Sequence, residues 1–194
     1  MLAIDTTDRI CSVSCKFNDQ VFNLSSEASA KNTDVVLHMI LSACAEFDRT
    51  LKDLEKIIVT VGPGSFTGVR VGVMIAKTLA FAHGSQLYPI TSSLAQLLPL
   101  MSEHGDGRYL SLIDARMQEC YLAAYQIDSG KRNLIIDDHV LSKDKAFEQA
   151  LSYDFVRDNF QNYQIQTEYM LDAITTIKPV TESDLLPLYL RQPV

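Results

Sequence analysis

The sequence predicts an α/β fold built in two halves, and three features predict it. Three short strand-like segments open the chain, Leu2–Ile4, Ile10–Phe17 and Gln20–Leu24, with turn residues Asp5-Thr6-Thr7-Asp8 and Asn18-Asp19 between them. The apolar run Ile57-Ile58-Val59-Thr60-Val61 reads as a buried parallel strand and leads through a glycine-rich loop into a helix. A second strand pair, Tyr109–Ile113 and Glu119–Ile127, opens the other half around Asp114-Ala115-Arg116. The pattern of meander, helix and β-α unit thus occurs once strongly and once weakly.

Each element follows from its local pattern. Asn32–Phe47 predicts a helix with Asn32 or Thr33 as its N-cap. Val36, Ile40, Ala43 and Phe47 make one apolar stripe, Leu37, Leu41 and Cys44 a second, and Asp34, His38, Ser42 and Glu46 a polar row. Leu54–Val61 is a strand, Thr67–His83 a helix closed by Gly84, and Leu87–Ile90 a further strand. Ser92 or Ser93 caps a helix through Leu98, which Pro99 ends or distorts. The polar, glycine-bearing stretch Ser102–Arg108 divides the chain into residues 1–102 and 103–194. Asn133–Leu141 adds a strand, Lys143–Leu151 and Ile165–Ile177 add helices, and the apolar tail Leu186–Arg191 docks back.

Composition narrows the function classes. The 194 residues are 47% hydrophobic and 21% charged, which excludes a disordered chain. No apolar run approaches the roughly 20 residues of a membrane helix, and Met1–Asp5 reaches a carboxylate at once. A cytoplasmic protein with no membrane association is expected. Cys11, Cys15, Cys44 and Cys120 form no CxxC pair, and the four histidines do not cluster, so no disulfide framework, metal site or cofactor is expected. The net charge of −7 gives no field for nucleic acid, so any RNA contact must come mainly through another chain.

Gly62-Pro63-Gly64-Ser65-Phe66-Thr67-Gly68 carries the strongest signal. A strand-to-helix loop exposes N–H groups at a helix N-terminus, where an anion is favoured. It is not a Walker A loop, because Val69-Arg70 follow Gly68. It is not a dinucleotide fingerprint, because Thr67 stands at the third glycine and no acid lies between Glu55 and Glu103. The plainer reading has equal weight: the glycines make a sharp turn and let the helix pack closely. Gly68, Gly72, Ala76 and Ala80 form one ridge along which another backbone can approach. Valines, Ile75, Leu79 and Phe81 surround the ridge, with only Arg70 and Lys77 on a polar edge. One side of such a helix can face its own sheet, and the other needs a cover. Two adjacent helices with surplus apolar surface point to a protein partner or a second copy.

Asp5-Thr6-Thr7, the block Gly62–Gly72, Asp114-Ala115-Arg116 and the closing Leu188-Tyr189-Leu190-Arg191 together resemble the TsaB (YeaZ) family, closely over the first hundred residues and loosely beyond. The resemblance implies an actin-like two-lobe fold of the sugar-kinase and Hsp70 type, here with a truncated second lobe. It implies a subunit without transferase activity of its own. Such a subunit pairs with TsaD, which threonylcarbamoylates adenosine 37 of tRNAs reading ANN codons, and is joined by the ATPase TsaE. Without TsaD, it pairs with itself. The contact helices would be Asn32–Phe47 and Thr67–His83, with Val36, Leu37, Ile40, Leu41, Cys44, Gly68, Val69, Gly72, Val73, Ala76 and Ala80 at the interface. A residual phosphate or nucleotide cleft would be lined by Asp5, Thr6, Thr7, Gly62, Gly64, Ser65 and Asp114.

Two alternatives remain open at this point: a TsaD-type transferase or actin-like kinase, and a stand-alone homodimeric module. Against the enzyme, the first long helix has only His38, with Asp34 and Ser42 at i±4, where a metal pair needs two histidines on one face. Every glycine lies at or before Gly130, leaving no glycine-rich adenosine loop in the last 64 residues. Asp5 and Asp114 can form a carboxylate pair at a cleft, but capped hairpin turns are the favoured reading of both.

Overall fold

The computed structural model describes residues 1–27, 32–160 and 163–191. Strands β1 (Leu2–Asp5), β2 (Ile10–Phe17) and β3 (Gln20–Glu27) form the expected antiparallel meander. Strands β4 (Lys56–Thr60) and β5 (Gln86–Ile90) extend it in parallel with β1, in the order β3-β2-β1-β4-β5. Burial on both faces explains the unbroken apolar runs of β1 and β4. One face carries Leu2, Ile4, Ile57 and Val59 and is covered by α1 (Asn32–Ala45) and α2 (Phe66–His83). The other carries Ala3, Ile58 and Tyr88 and packs under α3 (Ser92–His104) and, near the C-terminus, α5 (Thr167–Ala173).

The second sheet repeats the first in shorter form. β6 (Gly107–Arg116), β7 (Glu119–Asp128) and β8 (Lys131–Ser142) are an antiparallel meander followed by α4 (Lys143–Ala150), and β9 (Phe155–Asp158) then pairs in parallel with β6. Its order, β8-β7-β6-β9, reproduces β3-β2-β1-β4. The sequence did not predict β9. Phe155 and Val156 favour a strand, but four residues ending in Arg-Asp are too short a pattern to stand out. The strand forms because β6 offers a free edge and Phe155 stacks on Tyr109 and His104 at 4.9 and 4.3 Å.

Several boundaries differ from expectation for tertiary reasons. The N-cap of α1 precedes Asn32 and lies outside the described residues. The same helix stops at Ala45, and Phe47 folds onto Phe17, 5.3 Å between ring centroids. Thr91, not Ser92 or Ser93, caps α3 by accepting the Leu94 N–H at 3.2 Å. That helix runs through Pro99 to His104, because burial of Leu97, Leu98 and Met101 on either side outweighs the hydrogen bond the proline removes. α5 closes early into a single turn of 3-10 helix, Ile174–Thr176, where three β-branched residues follow one another.

The expected division at 102/103 falls inside α3, which ends just before β6 begins. The second half also does not stay by itself. Tyr109 and Ala123 of the second sheet share one core with Ala3, Ile58 and α5. The Ser12 hydroxyl of β2 donates to the Ile165 carbonyl at 2.8 Å, and Ser14 and Thr167 share a hydrogen bond of 2.6 Å. The tail docks as expected: Val180 and Leu188 donate their N–H groups to the carbonyls of Leu87 and Val61, and Leu185 is fully buried. Arg191 then reaches the Ala115 carbonyl and pairs with Glu119. Among the described residues no helix is long and apolar enough to cross a membrane.

Candidate functional site

Two places qualify as functional: the loop between β4 and α2, and the outer surface of α1 and α2. Gly62 and Gly64 have φ values of 103° and 158°, and the Gly62–Pro63 peptide is cis. Opposite this loop lies the β1–β2 turn. The Ser65 N–H donates to the Thr7 carbonyl at 2.7 Å, and the Thr6 hydroxyl donates to the Gly68 carbonyl at 2.7 Å. A Cβ on Gly64 would stand 2.5 Å from the Thr7 carbonyl oxygen, and one on Gly68 would overlap that of Thr6. The Ser65 side chain caps α2 by accepting the Gly68 N–H at 3.3 Å. Thus the close approach the glycines permit is made by the chain's own backbone. The Ser65 N–H, a donor that an anion-binding loop would offer to a phosphate, is already taken by the Thr7 carbonyl.

Asp5 is fully buried beneath this turn. Its Oδ1 accepts from the Thr7 N–H at 3.2 Å, the Thr7 hydroxyl at 2.7 Å and the Thr60 hydroxyl at 2.7 Å, while Oδ2 has no partner. Burial pushes the carboxyl up to about 6, against the opposing hydrogen bonds. Asp114 stands apart, at the end of β6, ion-paired with Lys143 at 2.9 Å and accepting the Arg116 N–H at 3.2 Å. Both carboxylates therefore serve turns. Of the candidate cleft residues, Asp5, Thr6, Thr7, Gly62, Gly64 and Ser65 come together and Asp114 does not join them.

Asn159, which follows β9 and carried no signal in the sequence, fills the space between the two sheets. Its amide donates to Asp8 at 2.8 Å, and its carbonyl oxygen accepts the Asp114 N–H at 2.7 Å. The cavity left there, lined by Thr7, Pro63, Ser92 and Asn159 among others, measures about 10 Å³. That is at the lower limit for one water molecule and far below the few hundred Å³ of a nucleotide site.

The helix surfaces correct the expected interface. Val36, Ile40 and Cys44 of α1 and Gly68, Val69, Gly72, Val73, Ala76 and Ala80 of α2 are buried within the chain itself. Cys44 meets the thiol of Cys15 in β2. A Cβ on Gly72 would lie 2.5 Å from the Thr6 hydroxyl oxygen, so the glycine end of the ridge packs on the β1–β2 turn, while Ala76 and Ala80 are buried in the core. The expected surplus of apolar surface on these helices presumes a lobe that ends near residue 102. The tail supplies the missing cover through Leu185, Val180 and Leu188. Of the eleven residues, only Leu37 and Leu41 are exposed, at 39% and 43%. They are joined by Met74 at 65% and Phe81 at 87% on the exposed side of α2. The available signal for these two was their position: both fall on the helix edge marked by Arg70 and Lys77.

Residues 24–179 match the model of the family described as "TsaD: tRNA N6-adenosine threonylcarbamoyltransferase". The tRNA threonylcarbamoyladenosine biosynthesis protein TsaB of Bacillus subtilis is 33% identical over 142 residues, 71% of this chain and 60% of that protein. The TsaB of Escherichia coli is 35% identical over 129 residues, 66% of this chain and 55% of that protein. That of Haemophilus influenzae is 28% identical over 193 residues, 95% of this chain and 79% of that protein. The chain therefore spans little more than half the length of the first two. Among solved structures, YeaZ from Pseudomonas aeruginosa superposes with a TM-score of 0.82 at 23% identity, covering 97% of this chain and 98% of that one.

Proposed function

Because the chain belongs to the family of the tRNA threonylcarbamoyltransferase TsaD and is similar to its TsaB proteins, we propose that it is the non-catalytic partner subunit in threonylcarbamoylation of adenosine 37 in tRNA. It pairs with a TsaD-class transferase and works with the ATPase TsaE. The observation that carries this reading is the combination of a filled cleft with an exposed apolar face. The glycine loop closes on Thr6 and Thr7, which supports a structural rather than a substrate-holding role for it. Leu37, Leu41, Met74 and Phe81 meanwhile stand exposed on two neighbouring helices of the same sheet face. Apolar side chains grouped in this way favour association by removing surface from water.

Co-expression with the transferase of the same organism, followed by size-exclusion chromatography, tests the pairing. Leu41→Glu and Phe81→Glu are expected to abolish co-elution, since each puts a charge into a desolvated contact. Both side chains are exposed, so both variants are expected to keep the parent melting temperature within about 2 °C, the change that corresponds to roughly 0.5 kcal/mol in a chain of this size. Co-elution unchanged in both variants overturns this face as the interface. Self-association of the chain alone through the same face is tested by sedimentation of the same variants.

The isolated chain is also expected to bind tRNA weakly. A net charge of −7 withholds the counterion-release term that dominates affinity for nucleic acid. A gel shift at physiological salt should show no band at micromolar protein. Tight, steeply salt-dependent binding would contradict the proposal that tRNA is met only through the complex.

A further inference from the structure

The exposed stripe of α2 begins with a cation that the fold holds in place. Arg70, Met74 and Phe81 follow one another at helical spacing along its outer side, and all three are exposed. Phe66 stands one turn before Arg70, and the guanidinium carbon lies 3.8 Å from the centroid of the Phe66 ring. The tail supplies a second support. Tyr189 packs on Phe66 with 5.0 Å between ring centroids, and its hydroxyl accepts the Arg70 Nε–H at 2.8 Å. Tyr189 is fixed from both sides in turn. The Leu188 N–H donates to the Val61 carbonyl at 2.7 Å, and the Arg191 guanidinium donates to the Ala115 carbonyl at 3.0 Å.

These contacts engage one face of the guanidinium and its Nε. The Nη1 and Nη2 donors have no hydrogen-bond or ion-pair partner among the described residues. A long exposed side chain normally loses rotamer freedom when it binds, and that loss weakens binding. Stacking on Phe66 and the bond to Tyr189 have already removed much of that freedom from Arg70. The charge around it is lopsided as well. No acid occurs between Glu55 and Glu103, so α2 carries Arg70 and Lys77 without a carboxylate in a chain of net charge −7. Asp34 and Glu46 of the neighbouring α1 form no ion pair with Arg70.

On the basis of the pairing proposed above, we propose that Arg70 is the polar anchor of that contact and takes a carboxylate of the partner, an aspartate or glutamate set beside the apolar surface that covers Met74 and Phe81. The planar fork of Nη1 and Nη2 matches the two oxygens of a carboxylate. A phosphate fits the same fork, but exposed apolar side chains one and three turns along the same stripe favour a protein surface over a nucleic-acid backbone. Tyr189 is the positioning residue, since its hydroxyl sets the direction in which the fork points.

The test is titration of the purified full chain with the transferase of the same organism at about 50 mM and about 500 mM salt. Arg70→Gln is expected to weaken pairing about tenfold at the lower salt and much less at the higher, as a charged contact at the edge of an interface should. Tyr189→Phe keeps the ring and removes the hydroxyl, and about a threefold loss is expected. Thermal unfolding of both variants checks that the fold is retained. Unchanged affinity and salt dependence in Arg70→Gln overturns the anchor. Leu41→Glu, measured alongside, separates the anchor from the reading it rests on. Pairing lost in Leu41→Glu and intact in Arg70→Gln leaves the apolar face standing and removes the anchor, whereas the reverse keeps the anchor and removes the face. A parent chain that does not pair with the transferase overturns both. An Arg70→Gln effect on tRNA binding in place of pairing assigns the fork to phosphate and also overturns the proposal.

Discussion

Gly68→Ala is expected to destabilise the chain by about 3 kcal/mol or more, lowering the melting temperature by roughly 6–12 °C. The reason is geometric. The added methyl would overlap the Thr6 carbonyl oxygen, and that oxygen belongs to backbone rather than to the end of a flexible side chain. To relieve the clash, either α2 must lift from the β1–β2 turn or the turn must move, breaking the bonds from Thr6 to Gly68 and from Ser65 to Thr7. Thr67→Ala, at the exposed neighbouring position, should change stability by no more than about 0.5 kcal/mol. Gly72→Leu belongs with Gly68→Ala. Its clash is with Thr6 inside the chain, so lost stability should accompany any lost partner binding. Thermal unfolding of all three variants checks this, and a Gly68→Ala protein melting with the parent would show that the loop does not press on the turn.

Asp5→Asn should have the opposite sign. A carboxyl whose folded value is raised holds its proton more tightly in the folded state. Its burial is therefore harmless while the group is protonated, and it destabilises progressively as pH climbs from the ordinary 3.8 through about 6. Asparagine keeps an oxygen to accept the bonds from Thr7 and Thr60, and it places a neutral amide where Oδ2 now lies unpartnered. The variant should match the parent near pH 4 and exceed it by up to about 3 kcal/mol above pH 7, since each tenfold difference in proton affinity between the folded and unfolded states is worth about 1.4 kcal/mol. Denaturant unfolding at a series of pH values reads the difference directly. A gap that shrinks as pH rises would mean that the Asp5 carboxylate is stabilised by something other than the hydroxyls and the amide around it.

A stabilising replacement at Asp5 also bears on function. A catalytic carboxylate must reach its substrate, and this one is fully buried and held by the Thr7 and Thr60 hydroxyls. Its chemistry is that of a buried structural group, which supports the proposed non-catalytic role.

Local pattern alone located most of the elements. The opening meander, the buried β4, the glycine loop and the long α2 are legible because period, turn residues and caps are properties of neighbours in the chain. The plainer reading of the glycines was legible too, since a residue without a side chain marks a close approach whatever makes it. The identity of the approaching group was not. Thr6 meets Gly68 across 62 residues, and nothing near either position records that contact. For the same reason the apolar ridge of α2 pointed outward on paper. Amphipathicity states how much surface a helix must bury, while the tertiary structure decides what buries it. Here the covers are the β1–β2 turn and a tail far along the chain, which leaves Leu37, Leu41, Met74 and Phe81 to face outward. Strand β9 and the bridging Asn159 owe their places entirely to the free edge of β6, because a four-residue strand has too few side chains to specify itself and forms only where a partner edge is waiting.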